Sequence, residues 1–159
     1  MRQRGLYKNP EKKTPKKEEE KLIIRANISP QGMPKPSKIL HPDTIIAARK
    51  LVREVYMDEK IEQYIVDLIH ATRFPAQCGL QKLEPLISFG GSPRASINLA
   101  LASKAYAFIR RRGYVIPEDV RSVIHDVLRH RIGLTYEAEA ENIKSEEIIT
   151  EILNTVEVP

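Results

Sequence analysis

The sequence predicts an all-α protein: a small bundle of five to six helices behind a disordered basic N-terminal tail. Three observations lead there. Apolar residues recur at three- and four-residue steps in several separate stretches, the spacing of one helix face. These stretches open on residues suited to a helix start, a Ser, Thr, Asp or Pro. No stretch alternates apolar and polar residues in the two-residue step of a half-buried strand, so no sheet is expected. Because no helix is apolar all round, each stripe has to face another.

Residues 1–13 read as a flexible tail with too few apolar side chains to offset the entropy of ordering. Residues 1–17 hold seven Lys or Arg against the single acid Glu11. Such a tail is either a solvated arm or a contact for nucleic acid or an acidic surface. Residues 14–37 read as a linker helix and a loop. Thr14 and Pro15 supply a cap and a first-position proline for a helix over 15–28, Glu18 and Glu20 suit its early turn, and Leu22, Ile23 and Ile24 form a short apolar face. Gly32 and three prolines make 29–37 a loop.

The rest, 38–159, reads as one helical domain. A helix over 42–56 is expected to bury Ile45, Ala48, Val52 and Val55. Asp58 caps the next, whose stripe is Ile61, Tyr64, Ile65, Leu68 and Ile69. Pro75, Gly79 and Pro85 make 74–87 an irregular loop with room for a short helical turn. Ser92 and Pro93 open an alanine-rich helix expected to bury Ile97, Leu101, Ala105, Phe108 and Ile109, with Gly113 as the residue that ends it. Pro117 opens a helix with Val120, Val123, Ile124, Val127 and Leu128 inward and Gly133 at its end. Residues 136–142 are acidic and helix-compatible, and Ser145 is expected to cap a last helix that buries Ile148, Ile149, Ile152 and Leu153.

Composition fits a soluble globular chain, with 42% apolar and 30% charged residues and no apolar run long enough to span a bilayer. Cys78 is alone, which excludes an internal disulfide or a thiolate metal site and suits a reducing cytoplasm. His41, His70, His125 and His130 are scattered; the last two are five apart, not the four that would share a helix face, so no metal site is expected. None of the seven glycines is followed by Lys-Ser or Lys-Thr, so no phosphate-cradling loop is present. The stretch from Val55 to Glu59 imitates a Walker-B strand, but it lies between two helices with no sheet to join, and Asp58 is explained as a cap.

The unusual residue is Arg94, a cation in the first turn of its helix, where the dipole disfavours positive charge. A helix start binds anions, and an arginine beside it adds a two-pronged phosphate clamp. Spacing alone leaves two readings open: a solvated surface arginine, or a group that reaches for a phosphate. The run Arg110, Arg111 and Arg112 reads as helix-end electrostatics rather than a DNA patch.

Three motifs, G-G-S-P-R-A over 90–95, R-G-Y-V-I-P-E-D-V over 112–120 and V-L-R-H-R over 127–131, resemble the C-terminal lid domain of MoxR-type AAA+ ATPases. The resemblance covers most of the chain from about Lys16 onward, including 41–66. It implies that Arg94 is the sensor-2 arginine, the lid's contact with ATP, catalytic only when joined to a core. Ser92 and Pro93 would fix the helix start, and Gly90 and Gly91 would permit a hinge-like approach at positive φ. The core of that family holds ATP and Mg, so this chain alone is expected to bind no cofactor and not to be an enzyme. The resemblance further implies a chaperone-like remodelling machine, a core partner in cis or in trans, a hexameric ring and a companion protein with a von Willebrand factor A domain. The missing core leaves three explanations, a truncated gene, an excised domain or a free-standing lid; the abrupt basic head favours truncation. The competing reading is a basic helical module that binds nucleic acid or another protein, suggested by the isoelectric point near 9.3. Mixed charge and scarce aromatic residues count against nucleic acid.

Overall fold

A computed structural model describes residues 17–28 and 37–159. The expected tail over 1–13, the cap at Thr14 and Pro15, and nearly all of the loop over 29–37 lie outside the described residues. The chain divides into two compact units, Met1–His41 and Pro42–Pro159.

In the first unit, α1 (Lys17–Asn27) carries Glu18, Glu19 and Glu20 in its first turn and Arg25 in its last, the order that complements the helix dipole. Asn27 Nδ2 donates to the Ile23 carbonyl at 2.7 Å. No residue of α1 is buried, and Leu22, Ile23 and Ile24 are exposed.

The second unit contains α2 (Pro42–Glu54), α3 (Glu59–Arg73), two short 3-10 helices (Pro75–Cys78 and Gln81–Leu86), β1 (Ile87–Phe89) and α4 (Pro93–Ile109). There follow α5 (Pro117–Leu128), β2 (Gly133–Leu134), α6 (Tyr136–Ala140) and α7 (Ser145–Thr155). The fold is all-α, with more elements than the stripes alone suggest. None of the described helices is long and apolar enough to cross a membrane.

The core forms where α3, α4, α5 and α7 meet. The expected stripes of α3 and α7 are buried in full. That of α5 is buried at Val120, Val123, Ile124 and Leu128, with Val127 at the margin. Each such side chain contributes about 1.5–3 kcal/mol on leaving water. Asp58 caps α3 by accepting from the Lys60 N–H at 2.9 Å. Ser145 is not a cap. Lys144 holds that position, its N–H bonded to Glu147 Oε1 at 3.1 Å, while the Ser145 hydroxyl donates to the Arg129 carbonyl.

Three expectations about packing are corrected. The inward face of α4 is not the bulky one: Ile97 is 60%, Leu101 41% and Ile109 50% exposed. Ala95, Leu99, Ser103 and Ala107 are buried instead. That set is offset from Ile97 and Leu101 by two residues, about 200° around a helix, so it lies on the opposite side. Its small side chains let neighbouring helices approach closely, and Ser103 satisfies its hydroxyl on the Leu99 carbonyl at 2.8 Å. Secondly, α2 buries nothing; Ala48 and Val52 are half-buried, Ile45, Ile46 and Leu51 are exposed, and Val55 is buried just beyond the helix. Thirdly, a two-stranded antiparallel ribbon pairs Ile87 with Leu134 and Phe89 with Gly133. Strands of three and two residues are too short for alternation to reveal. Gly133 therefore does not end α5, which stops at Leu128; a Cβ at Gly133 would sit 2.2 Å from the Phe89 ring.

The end of α4 is also built differently. Arg111, at φ 60°, is the left-handed residue, not Gly113. The Arg112 N–H reaches the Ala107 carbonyl and the Arg111 N–H reaches that of Phe108, the paired bonds of a Schellman ending. Arg112 then turns inward. Its guanidinium grips Asp119 with two bonds of 2.8 and 2.5 Å, and Asp119, only 1% exposed, also accepts from the Ile116 N–H at 3.0 Å. The carboxylate raises the Arg112 pKa, chiefly through that hydrogen bond. Replacing Asp119 by Ala removes the acceptor of a part-buried guanidinium and should destabilise the fold by about 2 kcal/mol or more in urea unfolding.

His125 on α5 faces α7, with Nε2 3.1 Å from Thr150 Oγ1. Thr150 gives its hydroxyl proton to the Glu146 carbonyl at 2.7 Å, so the imidazole must be the donor. Burial is the main cause that lowers the His125 pKa; Glu146 opposes this and Arg129 adds to it. A histidine with a depressed folded pKa stabilises above its unfolded value, about 6.5, and that stability is lost as pH falls through it. Unfolding free energy should therefore drop as the buffer is taken from neutral to acid, and His125→Gln should flatten that part of the profile.

Candidate functional site

The site begins at the C-terminal end of α3. Thr72 is wholly buried and its hydroxyl works twice. It donates to the Ile69 carbonyl at 2.6 Å and accepts from the Gly91 N–H at 2.8 Å. The turn between β1 and α4 is thereby fixed to α3. Neither Gly90 nor Gly91 takes positive φ, which corrects the expected hinge. Gly90 is needed for close approach: a Cβ there would stand 2.3 Å from the Thr72 carbonyl oxygen. Gly91 is buried, and an added Cβ would make near-normal contacts of 3.3 to 3.5 Å.

The turn delivers the chain to Ser92 at the N-cap and Pro93 at the first helical position of α4. Ser92 has cap geometry, φ −74° and ψ 168°, but its side chain makes no cap bond. Its carbonyl accepts the Ala95 N–H at 2.7 Å. Arg94 follows in the first turn, exposed, and among the described residues it has no hydrogen-bond or ion-pair partner. A guanidinium and a helix start without a side-chain cap thus share one surface point, an arrangement able to take an anion.

The three arginines at the other end of α4 do not join it. Arg112 is held by Asp119, and Arg110 donates to the Tyr106 hydroxyl at 2.8 Å with its guanidinium 5.1 Å from the ring centre. That hydrogen bond is the first cause lowering the Tyr106 pKa. Two of the three charges are therefore structural. Cys78 lies 3.8 Å from His70 Nδ1, a proximity eight residues of sequence do not advertise. Among the described residues no group of three or more His, Cys, Asp or Glu is placed to hold a metal.

Beside the site lies an open apolar face. Met57, Val66, Ile97 and Leu101 line a groove bordered by α2, with Arg53 and Lys104 at its rim. Lys104 Nζ donates to the Arg53 carbonyl at 3.3 Å and ties α4 to the end of α2. Sequence reading missed both this groove, because it assigned Ile97 and Leu101 to the core, and the part of Thr72, because a threonine near a helix end carries no signal for a contact nineteen residues away.

Comparison with known proteins places this arrangement. Residues 82–152 match the AAA lid domain family. The chaperone MoxR1 of Mycobacterium tuberculosis is 37% identical over 142 residues, which cover 89% of this chain and 37% of MoxR1. The protein MoxR of Paracoccus denitrificans is 39% identical over 79 residues, covering 47% of this chain and 23% of its own. The crystal structure of a candidate ATPase from Cytophaga hutchinsonii superposes with a TM-score of 0.78 at 41% identity, covering 90% of this chain and 43% of that one. The chain spans less than half the length of each.

Gly90→Ala should destabilise the fold by about 1–3 kcal/mol, because backbone must move to admit the methyl. Gly91→Ala should cost clearly less. Thr72→Val should lose a comparable about 1–3 kcal/mol by leaving the Gly91 N–H buried without its acceptor. Thermal or urea unfolding of the three variants checks the order.

Proposed function

Since this chain carries the lid domain of a MoxR-type AAA+ ATPase, we propose that it closes over a nucleotide-binding core and presents Arg94 to the γ-phosphate as sensor 2. The observation that carries the reading is Arg94 itself: exposed, unpaired among the described residues, and stationed where α4 begins. An arginine near transferring phosphoryl oxygens stabilises developing charge electrostatically, and residues of this kind contribute about 10³-fold or more in rate. Here the aim of the side chain is set by Ser92 and Pro93 at the helix start and by the Thr72 bond to Gly91 behind them. ATP and Mg would be held by the core, which supplies the phosphate-binding loop. When the γ-phosphate leaves, the contact between lid and phosphate leaves with it, so lid position would report the nucleotide state.

The wider role follows the same proposal: a chaperone-like ATPase working as a ring, with the core joined in cis or supplied in trans. The groove of Met57, Val66, Ile97 and Leu101 supports it, because an exposed apolar face of this kind suits cover by a second domain. The internal use of Arg110 and Arg112 removes two of the charges on which a nucleic-acid reading relied.

The test is Arg94→Ala measured with a MoxR-type core. Helical circular dichroism should be unchanged, while nucleotide-dependent association is lost and ATP hydrolysis falls by about 10³-fold. A variant that docks and supports hydrolysis like its parent would end the sensor-2 assignment.

A further inference from the structure

The motif V-L-R-H-R contains two arginines with opposite fates. Arg129 is fully engaged: it pairs with Asp126, lies 3.9 Å from Glu146 Oε1 and donates from Nε to the His125 carbonyl. Arg131 is not. Its Nε is buried without a hydrogen-bond partner, the one such buried side-chain atom among the described residues. No ion pair or hydrogen bond to its guanidinium occurs among those residues either. A part-buried guanidinium without an acceptor is costly, so an anion that arrives from elsewhere would relieve it.

The ribbon indicates where that anion would sit. Strand β1 runs toward Gly90 and the turn into α4; β2 is antiparallel to it, with Gly133 opposite Phe89. The residues that follow Phe89 and those that precede Gly133 therefore leave the ribbon at the same end. Continuing that pairing would set Gly91 opposite Arg131, across an interstrand gap of about 5 Å. Arg94 lies three residues beyond Gly91, at most about 10 Å of chain. Two long side chains, each without a partner among the described residues, thus start from neighbouring backbone.

We propose that Arg131 supplies a second guanidinium to the phosphate oxyanion that Arg94 meets, the two forming one clamp at the mouth of the ribbon. The proposal rests on the anion-binding reading of Arg94 and extends it to a residue on another element. Two guanidinium groups can engage different oxygens of one phosphoryl group, which a lone arginine in a helix's first turn does less selectively. The clamp would also couple β2 to the nucleotide, so that α4 and the ribbon follow phosphate loss together.

The experiment uses the whole chain and inorganic tripolyphosphate. The Nε–H signals of Arg94 and Arg131 are followed by NMR through a titration, with sodium chloride at equal ionic strength and sodium citrate as comparison arms. Both signals should move along one saturating curve with a common Kd. Arg131→Gln should weaken that Kd about tenfold, the loss of one charge-assisted bond, while its amide spectrum stays that of the folded chain. Arg131→Lys should recover only part of the loss, because an ammonium cannot fork. If Arg94 responds and Arg131 does not, the clamp is wrong and the sensor reading stands. If neither responds, both fall. A response of Arg131 that persists unchanged in Arg94→Gln means two separate anion spots and overturns the clamp. Equal movement with citrate assigns the pocket to carboxylates and overturns the phosphate. The signal of the wild-type chain decides these points even if Arg131→Gln does not fold.

Discussion

The geometry of this domain turns on one hydroxyl. Thr72 closes the end of α3 onto its own backbone and holds the turn before α4 by the Gly91 N–H. Because the group is buried, neither bond has water as a substitute, and loss of either partner leaves a polar atom stranded. The neighbouring Gly90 makes the junction tight as well as bonded, since nothing larger than hydrogen fits against the Thr72 carbonyl. Whatever Arg94 does, it does from a start point fixed by this contact.

The far end of α4 is secured by different chemistry. The Schellman bonds stop the helix with Arg111 in the left-handed region, and Arg112 is then drawn to Asp119 at the start of α5. Asp119 also satisfies the Ile116 N–H, so one carboxylate caps α5 and anchors the loop that leads to it. A non-glycine residue in the left-handed region costs roughly 1 kcal/mol. The buried pair and the paired carbonyls hold it there. Between these ends, the small face of Ala95, Ser103 and Ala107 lets the neighbouring helices pack closely against α4. A helix held at both ends and along one side moves as a rod.

What was legible in the sequence follows from how each element is stabilised. Helices that bury branched aliphatic residues at regular steps, α3, α5 and α7, declare their inner faces, and Asp58 declares its cap. In α4 the signal misleads. Bulky residues mark the outer side and alanines the inner, because close approach selects small side chains while the exposed bulky face lies along the open groove. The same applies to α2, whose Ile45, Ile46 and Leu51 mimic a core stripe. The ribbon was invisible because it amounts to two residue pairs, and the glycines were assigned to torsion when their constraint is space. At the candidate site, the position of Arg94 could be read from G-G-S-P-R, since caps and first-turn residues are local. The pin at Thr72, the isolation of Arg131 and the retirement of Arg112 into an ion pair depend on long-range contact, for which spacing has no signature.

The two sides of α4 suggest why a lid would be built this way. One end carries a cation without a partner among the described residues, one side is locked into the domain, and the remaining side bears Ile97 and Leu101 in an open groove. A charge-assisted bond at the start of the rod is worth about 1.5–3 kcal/mol. That shifts a two-position equilibrium by about ten- to a hundredfold, since each 1.4 kcal/mol is a factor of about ten. The same displacement carries the apolar side with it, because the helix is fixed too firmly to bend between its ends. Making or breaking one phosphate contact would then decide whether an apolar surface many residues away is covered or bare. No wire of special residues is required for that coupling; a stiff helix with different chemistry on its end and its flank is sufficient.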